Sequence, residues 1–365
     1  MCRIIHHKAF RFRLYPTKAQ ELLFRKTLGC TRFVFNNFLA HWNESYEATG
    51  KGLSYNACAT QLPSLKKSLP WLKEVDSIAL QSAVRHLADS FDRFFRKQND
   101  APRFKCKRNP VQSFTTRFTN GNIAVEGNRL QLPKAGMVKF GKSRHVEGRI
   151  LSASVRLAPS GKWFVVLTCE VDIAPLPAIN RDIGIDVGIS SLAVSSDGEV
   201  IENPKSYVRH ERQLAKWQRR LSRRKPGGRN YQKAKRHIAR IHERIRNRRQ
   251  DALHKLTTKW IRENQTICIE DLRIANMLQN RKLAKHIADA SWGELRRQLE
   301  YKAVWYGRTI KHVPTFSPSS QMCHVCGTVN QEVRDLRIRT WTCCHCHTTH
   351  DRDSNASYNI KVMAV

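Results

Sequence analysis

Three acidic residues in distant parts of the chain have the surroundings expected of metal ligands. Asp186 lies in the apolar, β-branched run G-I-D-V-G-I, where burying a lone carboxylate is costly. Glu270 ends the short apolar run T-I-C-I-E, and Asp353 lies in H-D-R-D-S-N-A. Three converging carboxylates can hold two Mg²⁺ ions, or Mn²⁺, which clamp the attacking and leaving oxygens of a phosphodiester. The pattern therefore favours metal-dependent phosphodiester hydrolysis with water as the nucleophile.

Two neighbouring acids compete for these places. Asp271 directly follows Glu270, and Asp351 precedes Asp353 by two positions. Strand alternation directs Glu270 and Asp271 to opposite faces, but both faces carry apolar neighbours. Periodicity alone therefore leaves this choice open.

Four cysteines form a second group with ligand spacing. Cys323-x-x-Cys326 and Cys343-x-x-Cys346 are separated by sixteen residues, and paired knuckles of this kind hold a structural Zn²⁺ through four thiolates. The symmetric four-cysteine set is preferred because each pair then spans one tight turn. Four nearby residues could substitute for a ligand: Cys344, His324, His345 and His347.

The charge balance indicates a polyanionic partner. The 365 residues include 65 Lys and Arg against 30 Asp and Glu, which gives a net charge of +35. Such an excess favours nucleic acid over a membrane surface. No apolar run approaches the roughly 20 residues of a membrane span, and the N-terminus lacks a signal-peptide core. We therefore expect a cytoplasmic protein, nucleoid-associated when on DNA, with reduced or metal-bound cysteines.

The positive charge is concentrated between Arg209 and Arg249, where 17 of 41 positions are Lys or Arg and two are acidic. Pro226-Gly227-Gly228 divides this region into two predicted helices, which resemble a hairpin laid along a phosphate backbone. The candidate nucleic-acid contacts, two of which precede this region, are Arg103, Lys105, Arg219, Arg220, Arg223, Arg224, Lys235 and Arg236.

The elements that position these residues follow from periodicity. Lys8 to Leu14 alternates as a strand, and Thr17 can cap a helix that begins at Lys18. A second helix is predicted from about Ser77 to Lys97, with its aromatic residues packed in a core rather than stacked on bases. From F-K-C-K at residue 104 onward, short alternating runs predict a small β-barrel. Strands then surround Asp186 and Glu270, and a short helix follows Asp353.

The ordered set G-I-D-V-G-I, I-E-D-L, two C-x-x-C knuckles and D-R-D-x-N-A resembles the TnpB (OrfB) transposon-associated nucleases, relatives of type V CRISPR effectors. The likeness extends outward through F-R-L-Y-P-T-K-A-Q, P-R-F-K, Q-S-F-T-T-R-F, D-A-L-H-K-L-T-T-K and S-S-Q-M-C-H-V-C-G. It covers nearly the whole chain, and the joint pattern is far more specific than any single motif.

The resemblance implies an α/β multidomain protein. Its RNase H-like RuvC nuclease domain contains an inserted zinc ribbon, and its N-terminal β-barrel (wedge) domain is interrupted by a helical recognition domain. The implied ranges are 1–15 and 104–180 for the wedge, 16–103 for recognition, 181–322 and 347–365 for RuvC, and 323–346 for the ribbon.

The resemblance also implies a function. Asp186, Glu270 and Asp353 would be the catalytic acids, and it is the family pattern that prefers Glu270 over Asp271 and Asp353 over Asp351. The partners would be a guide RNA from the transposon end and target double-stranded DNA, read next to a short flanking motif by a monomeric protein.

Three positions depart from the family pattern: His347 stands where a Gly commonly follows the last zinc cysteine, Cys344 is unusual within the knuckle, and Ser357 replaces a frequent Ala. Three other functions are less consistent with the sequence. A nucleic-acid-binding regulator without cleavage activity would be expected to lack one or more acids. G-I-D-V-G-I alone also fits a sugar-kinase or actin-like ATPase, but the later Gly-rich phosphate loops are missing. An HUH-type transposase would need more than His6-His7, which lack a suitable strand around them.

Overall fold

The structure is a computed structural model that describes residues 5–110 and 112–364. The chain divides into two compact units, which meet between Asp172 and Ile173 in the sequence.

The first unit contains a seven-stranded sheet organised around its first strand. β1 pairs along nearly its whole length with β7 and, at its end, with β5. The predicted alternation is confirmed, since Phe10, Phe12 and Leu14 are buried. The strand order is β2-β6-β7-β1-β5-β4-β3, so β2 and β3 form the two edges. The strands are β1 (Ile5–Tyr15), β2 (Gln112–Arg117), β3 (Ala124–Glu126), β4 (Arg129–Leu132), β5 (Gly136–Gly141), β6 (Arg149–Leu157) and β7 (Trp163–Asp172).

Helices of the first unit bury an aromatic core. Thr17 caps the first helix as expected, in a reciprocal arrangement with Gln20. Phe38 is buried, and the Trp42 ring stacks on Phe91 with 3.8 Å between centroids, which agrees with core packing for these residues. Residues 104–107, predicted as a strand, have no regular secondary structure beyond a turn. The helices are α1 (Lys18–Thr49), α2 (Tyr55–Ser68) and α3 (Ser77–Phe95).

The second unit is built on a five-stranded sheet with the order β10-β9-β8-β11-β12. β8, β11 and β12 are parallel, whereas β9 and β10 continue from β8 as an antiparallel meander. The core beneath this sheet includes Ile185, Trp260 and Leu299, all at most 1% exposed. The strands are β8 (Asp182–Val187), β9 (Ser191–Ser195), β10 (Val200–Glu202), β11 (Thr266–Glu270) and β12 (Thr309–Val313).

The remaining elements of this unit are a basic hairpin, a helical layer and a small ribbon. The helices are α4 (Val208–Ser222), α5 (Arg229–Glu263), α6 (Ile274–Met277), α7 (Ala284–Ala290), α8 (Trp292–Tyr306) and α9 (Arg352–Met363). The ribbon contains β13 (Thr340–Thr342) paired antiparallel with β14 (Thr349–Asp351). Within the described residues, no helix combines the length and apolar character needed to cross a membrane.

Candidate active site and metal centre

Two of the candidate acids lie on neighbouring strands. The parallel pairing aligns Ile185 of β8 with Ile269 of β11, so Asp186 and Glu270 are the next residues along the two strands. Adjacent strands lie about 4.8 Å apart. Equivalent positions on adjacent strands project to the same face, so these two carboxylates share one face of the sheet.

The third acid reaches this face because a helix packs directly on β8. Gly184 precedes Asp186 by two positions and therefore shares its face. A Cβ at Gly184 would lie 2.1 Å from the Ser357 carbonyl oxygen and 2.6 Å from the Lys361 backbone nitrogen. Only glycine permits this approach, which places α9 against the strand. Asp353 is in the first turn of that helix.

The electrostatics of Asp186 reflect this convergence. Burial raises the pKa of Asp186 well above its usual range, and the carboxylates of Glu270 and Asp353 raise it further. Arg339 and Arg352 act in the opposite direction to a smaller extent. Like charges held near one another disfavour ionisation, and a divalent cation would relieve that repulsion. The donor set therefore fits Mg²⁺ or Mn²⁺, which prefer carboxylate oxygens.

Each of the other two acids has a fixed polar partner. The Ser319 hydroxyl donates to Glu270 Oε1 at 2.6 Å, and Ser319 is buried. The Arg339 guanidinium donates to Asp353 Oδ2 in an ion pair. Each of these contacts engages one oxygen of its carboxylate and orients the group.

The rival acids are engaged elsewhere. Asp271 forms an ion pair with Arg296, whose guanidinium also bonds Glu300. Asp351 is the N-cap of α9, where its carboxylate accepts a hydrogen bond from the Ser354 backbone N–H at 2.9 Å. The acids that raise the pKa of Asp186 are Glu270 and Asp353.

The four knuckle cysteines meet at one point. The Sγ atoms of Cys323, Cys326, Cys343 and Cys346 all lie within 4.8 Å of one another. A tetrahedral site with Zn–S bonds of about 2.3 Å separates its sulfurs by about 3.8 Å, so this cluster fits Zn²⁺. Among the described residues, no other group of three or more potential ligands meets this closely, and the three acids are therefore farther apart.

The two knuckles have matching geometry. The Cys323 amide donates to the Thr328 carbonyl at 2.8 Å, and the Cys343 amide donates to the Thr348 carbonyl at 2.9 Å. In each knuckle the threonine two positions after the second cysteine lowers the pKa of that thiol, Cys326 or Cys346. Lower thiol pKa values favour the thiolate that binds zinc.

The substitutes considered from the sequence lie outside the cluster. Cys344, His345 and His347 are exposed, and His324 Nδ1 lies 3.0 Å from the Asn355 side-chain oxygen. His347 has a φ of +55°, the left-handed region that favours glycine. This explains physically why glycine suits the position.

Side chains of α9 hold the ribbon. The Asn359 amide donates to the carbonyls of Ser319 and Met322 at 2.7 and 2.6 Å. One turn earlier, the Asn355 amide donates to the same Met322 carbonyl at 2.7 Å. Arg352 donates to the Asp335 carbonyl at 2.7 Å. The helix that carries Asp353 is therefore bonded to the segment that enters the ribbon and to the middle of the ribbon.

The predicted basic hairpin is present. Leu214, Ile241 and Ile245 form the small core between α4 and α5. Trp217 stacks on His237 with 4.0 Å between ring centroids. Arg219, Arg220, Arg223, Arg224, Lys235 and Arg236 are all exposed.

The two earlier basic candidates lie in the first unit. Arg103 is exposed and pairs with Asp100 at 3.2 Å. The Asn36 side chain bonds both the backbone N–H and the carbonyl of Lys105, and the Lys105 ammonium lies 3.5 Å from the Phe35 ring centroid. Their contact with nucleic acid stays a prediction.

Comparison with known proteins places the chain in a family. Residues 165–281 match the OrfB_IS605 model, described as "Probable transposase", and residues 292–360 match the Cas12f1-like TNB domain. A Streptomyces pristinaespiralis protein named "Putative RNA-guided DNA endonuclease" is 41% identical over 97% of this chain and 88% of its own length. The chain belongs to the OrfB (TnpB) family. The Escherichia coli K12 member InsQ, which carries the same description, is 36% identical over 97% of this chain and 91% of its own length.

A solved structure extends the likeness to the fold. The protein in the structure titled "Cryo-EM structure of the Cas12f1-sgRNA-target DNA complex" matches with a TM-score of 0.64 at 13% identity. The match covers 98% of this chain and 99% of that chain. The mixed α/β fold is therefore of the Cas12f type. Residues 1–51 match a model for an OrfB helix-turn-helix domain, but their described part forms one strand and the single helix α1.

Sequence reasoning missed three residues that support the acids: Gly184, Ser319 and Arg339. Gly184 stood out only as one of two glycines flanking Asp186. Ser319 lies in the S-S-Q part of a motif that the family resemblance had marked. Arg339 had no signal in the sequence, because its partner Asp353 lies on another element.

Proposed function

We propose that this OrfB family member is a transposon-associated RNA-guided DNA endonuclease that cleaves DNA next to a short flanking motif. The observation that carries the proposal is the convergence of Asp186, Glu270 and Asp353. They come from two strands and a helix, and two of them raise the pKa of the third. Acids grouped in this way can hold the metal ions that phosphodiester hydrolysis uses.

Asp186, Glu270 and Asp353 would hold two Mg²⁺ ions, or Mn²⁺. Such ions supply charge stabilisation at the attacking and leaving oxygens and a more acidic water. The chain's own contribution is orientation. Ser319 fixes one Glu270 oxygen, Arg339 fixes one Asp353 oxygen, and α9 sets the distance of Asp353 from β8.

Cys323, Cys326, Cys343 and Cys346 would hold one structural Zn²⁺. The ribbon at residues 323–346 then interrupts a RuvC-like domain of residues 181–322 and 347–365. The close approach of the four sulfurs supports this assignment.

The remaining chain would bind the nucleic acids. The seven-stranded sheet would be the wedge domain (1–15 and 104–180), and α1 to α3 the recognition domain (16–103). A guide RNA from the transposon end would pair with the target strand, so base pairing reads the sequence while the monomeric protein reads the flanking motif. The exposed basic face of α4 and α5 would follow the phosphate backbone, so binding should weaken steeply with salt.

The test is programmed cleavage. The protein is purified with RNA from its native locus, the RNA is sequenced, and a reprogrammed guide is offered a matching plasmid library with randomised flanks in Mg²⁺. The expected result is cleavage beside one flanking motif by the wild type and none by Asp186→Ala.

Neighbouring acids provide matched controls. Cleavage should be abolished by Glu270→Gln and by Asp353→Asn. It should be retained by Asp271→Asn and by Asp351→Asn. In the latter variant asparagine can still cap α9. Guide-dependent DNA binding without cutting by the wild type would favour the alternative, a regulator without nuclease activity.

A further inference from the structure

The loop from Pro314 to Ser319 is anchored at two points to the end of the strand that carries Glu270. The Thr315 hydroxyl donates to the Asp271 carbonyl at 2.7 Å, and the Ser319 hydroxyl donates to Glu270 Oε1 at 2.6 Å. Consecutive Cα atoms are 3.8 Å apart. Phe316, between these anchors, is therefore held beside the candidate catalytic acids.

Phe316 is unusual in both conformation and exposure. Its φ is +74°, in the left-handed region that bulky residues avoid. Its exposed fraction of 87% is the highest among the exposed large apolar side chains of the described residues. A strained backbone at a functional site points to a role for the side chain it presents. Within the chain, the ring's neighbour is the exposed Arg273, whose guanidinium carbon lies 5.6 Å from the ring centroid.

We propose that Phe316, with Arg273, is a stacking site for one unpaired base of the DNA strand that enters the acids. This inference rests on the proposed function. A phenyl ring offers a face without hydrogen-bonding groups, which suits the face of a nucleobase, and the guanidinium beside it suits a phosphate or the same base. Only a single-stranded segment exposes a base face. The occupant is therefore single-stranded DNA, bound without preference among the four bases.

Stacking on an aromatic side chain corresponds to roughly 5- to 150-fold in affinity per base. Binding is measured with the assembled ribonucleoprotein and a single-stranded oligonucleotide containing 2-aminopurine, in Mg²⁺-free buffer to prevent cleavage. Wild type should quench the probe's fluorescence. Phe316→Gly, which removes the ring and relieves the positive φ, should lose the quenching and bind at least 5-fold more weakly. Phe316→Trp should retain both, and Val304→Ala, which removes another exposed apolar side chain, should behave as wild type.

Cleavage provides a second, position-specific readout. Abasic sites are placed one at a time along each strand of a matched substrate, and the substrate concentration for half-maximal cleavage is measured. For wild type, one abasic position should raise the substrate concentration that gives half-maximal cleavage. For Phe316→Gly the same abasic position should leave that concentration unchanged, because the variant has already lost the ring on which the missing base would stack. A flat abasic scan with equal DNA binding by wild type and Phe316→Gly overturns the inference.

The failure of this inference can be distinguished from failure of the proposed function. If wild type cleaves the matched plasmid but Phe316→Gly matches it in all assays, only the stacking site is wrong. If wild type cleaves nothing, the proposed function fails, and the fluorescence assay still decides whether Phe316 binds a base. If Phe316→Gly instead dissolves a dimer in sedimentation experiments and leaves DNA binding intact, the ring contacts a second copy and the inference is wrong.

Discussion

Substitution of Gly184 by alanine should uncouple the third acid from the other two. The added Cβ would lie 2.1 Å from the Ser357 carbonyl oxygen, 2.6 Å from the Lys361 nitrogen and 2.8 Å from the Lys361 Cβ. Two of these atoms are helix backbone, so a rotamer change cannot remove the clash. Ordinary contact begins at about 3.4 Å, and α9 must therefore withdraw by roughly 1 Å.

That withdrawal sets the expected size of the effect. Asp353 lies in the first turn of α9 and should move away from Asp186 with the helix. A misplacement of about 1 Å at a reacting centre can lower the rate roughly 100-fold. Overpacking of a core typically destabilises by about 1–3 kcal/mol. We expect a folded protein of slightly lower stability whose cleavage rate falls far more than its stability does.

The measurement pairs single-turnover cleavage of a matched substrate with thermal unfolding of the same ribonucleoprotein. Gly293→Ala is the control, because its Cβ would lie 3.5 Å from Ile274 Cδ1, an ordinary contact, inside helix α8. It should leave cleavage intact. The reasoning is refuted if Gly184→Ala is as active as wild type, or if Gly293→Ala loses as much activity.

Three further substitutions test separate contacts. Ser319→Ala removes a buried hydroxyl that donates to the Glu270 carboxylate, and a hydrogen bond to a charged group is worth about 1.5–3 kcal/mol. Calorimetry should therefore show weaker Mn²⁺ binding by Ser319→Ala than by wild type. The control is Ser317→Ala, because the Ser317 hydroxyl donates to the loop carbonyl of Pro314. Cys343→Ser should lose zinc and cleavage together, as measured by elemental analysis and plasmid cutting, whereas Cys344→Ser, at an exposed position outside the cluster, should lose neither. Burial lowers the pKa of Lys302 to about 8, whereas an unfolded lysine titrates at about 10.4. Between about pH 8 and 10.5 the unfolded state therefore binds more protons than the folded state. The free energy of unfolding should rise across that window by up to about 3 kcal/mol, measured relative to Lys302→Met. A pH-independent difference in unfolding free energy between these two proteins would contradict that assignment.

Much of the fold followed from local patterns in the sequence. Alternation predicted the strand at Lys8 to Leu14, and the structure extends it to Ile5–Tyr15. Thr17 was predicted to cap the first helix, and the break at Pro226-Gly227-Gly228 was predicted to divide the basic region. Both are confirmed. These signals depend on neighbours within a few residues, which is the range that a single sequence reports well.

The missed elements depend on contacts distant in sequence. The helix Tyr55–Ser68 was not predicted, because Pro63 in its interior argues against a helix; only two of its residues are buried in the structure. Residues 104–107 alternate like a strand, but the Asn36 side chain bonds the backbone of Lys105 in place of a neighbouring strand. Tertiary context therefore overrode local preference in both cases.

The choice among the candidate acids also depends partly on local sequence and partly on contacts distant in sequence. Periodicity could not separate Glu270 from Asp271 or Asp353 from Asp351. In the structure, Asp351 caps α9 and Asp271 pairs with Arg296. A capping residue can be recognised from its position before a helix, but the ion pair joins two elements and could not be read from the sequence.

The position of the ribbon in the chain explains how the acids can be assembled from distant segments. Closing a long loop costs little more than closing a short one, so inserting a ribbon between Glu270 and Asp353 is tolerated thermodynamically. Catalytic geometry, in contrast, depends on errors of about 1 Å. The required accuracy must therefore come from short-range bonds: Ser319, which precedes the ribbon, bonds Glu270, and Arg339 within the ribbon bonds Asp353. It follows that a ribbon variant can reduce cleavage without altering any acid.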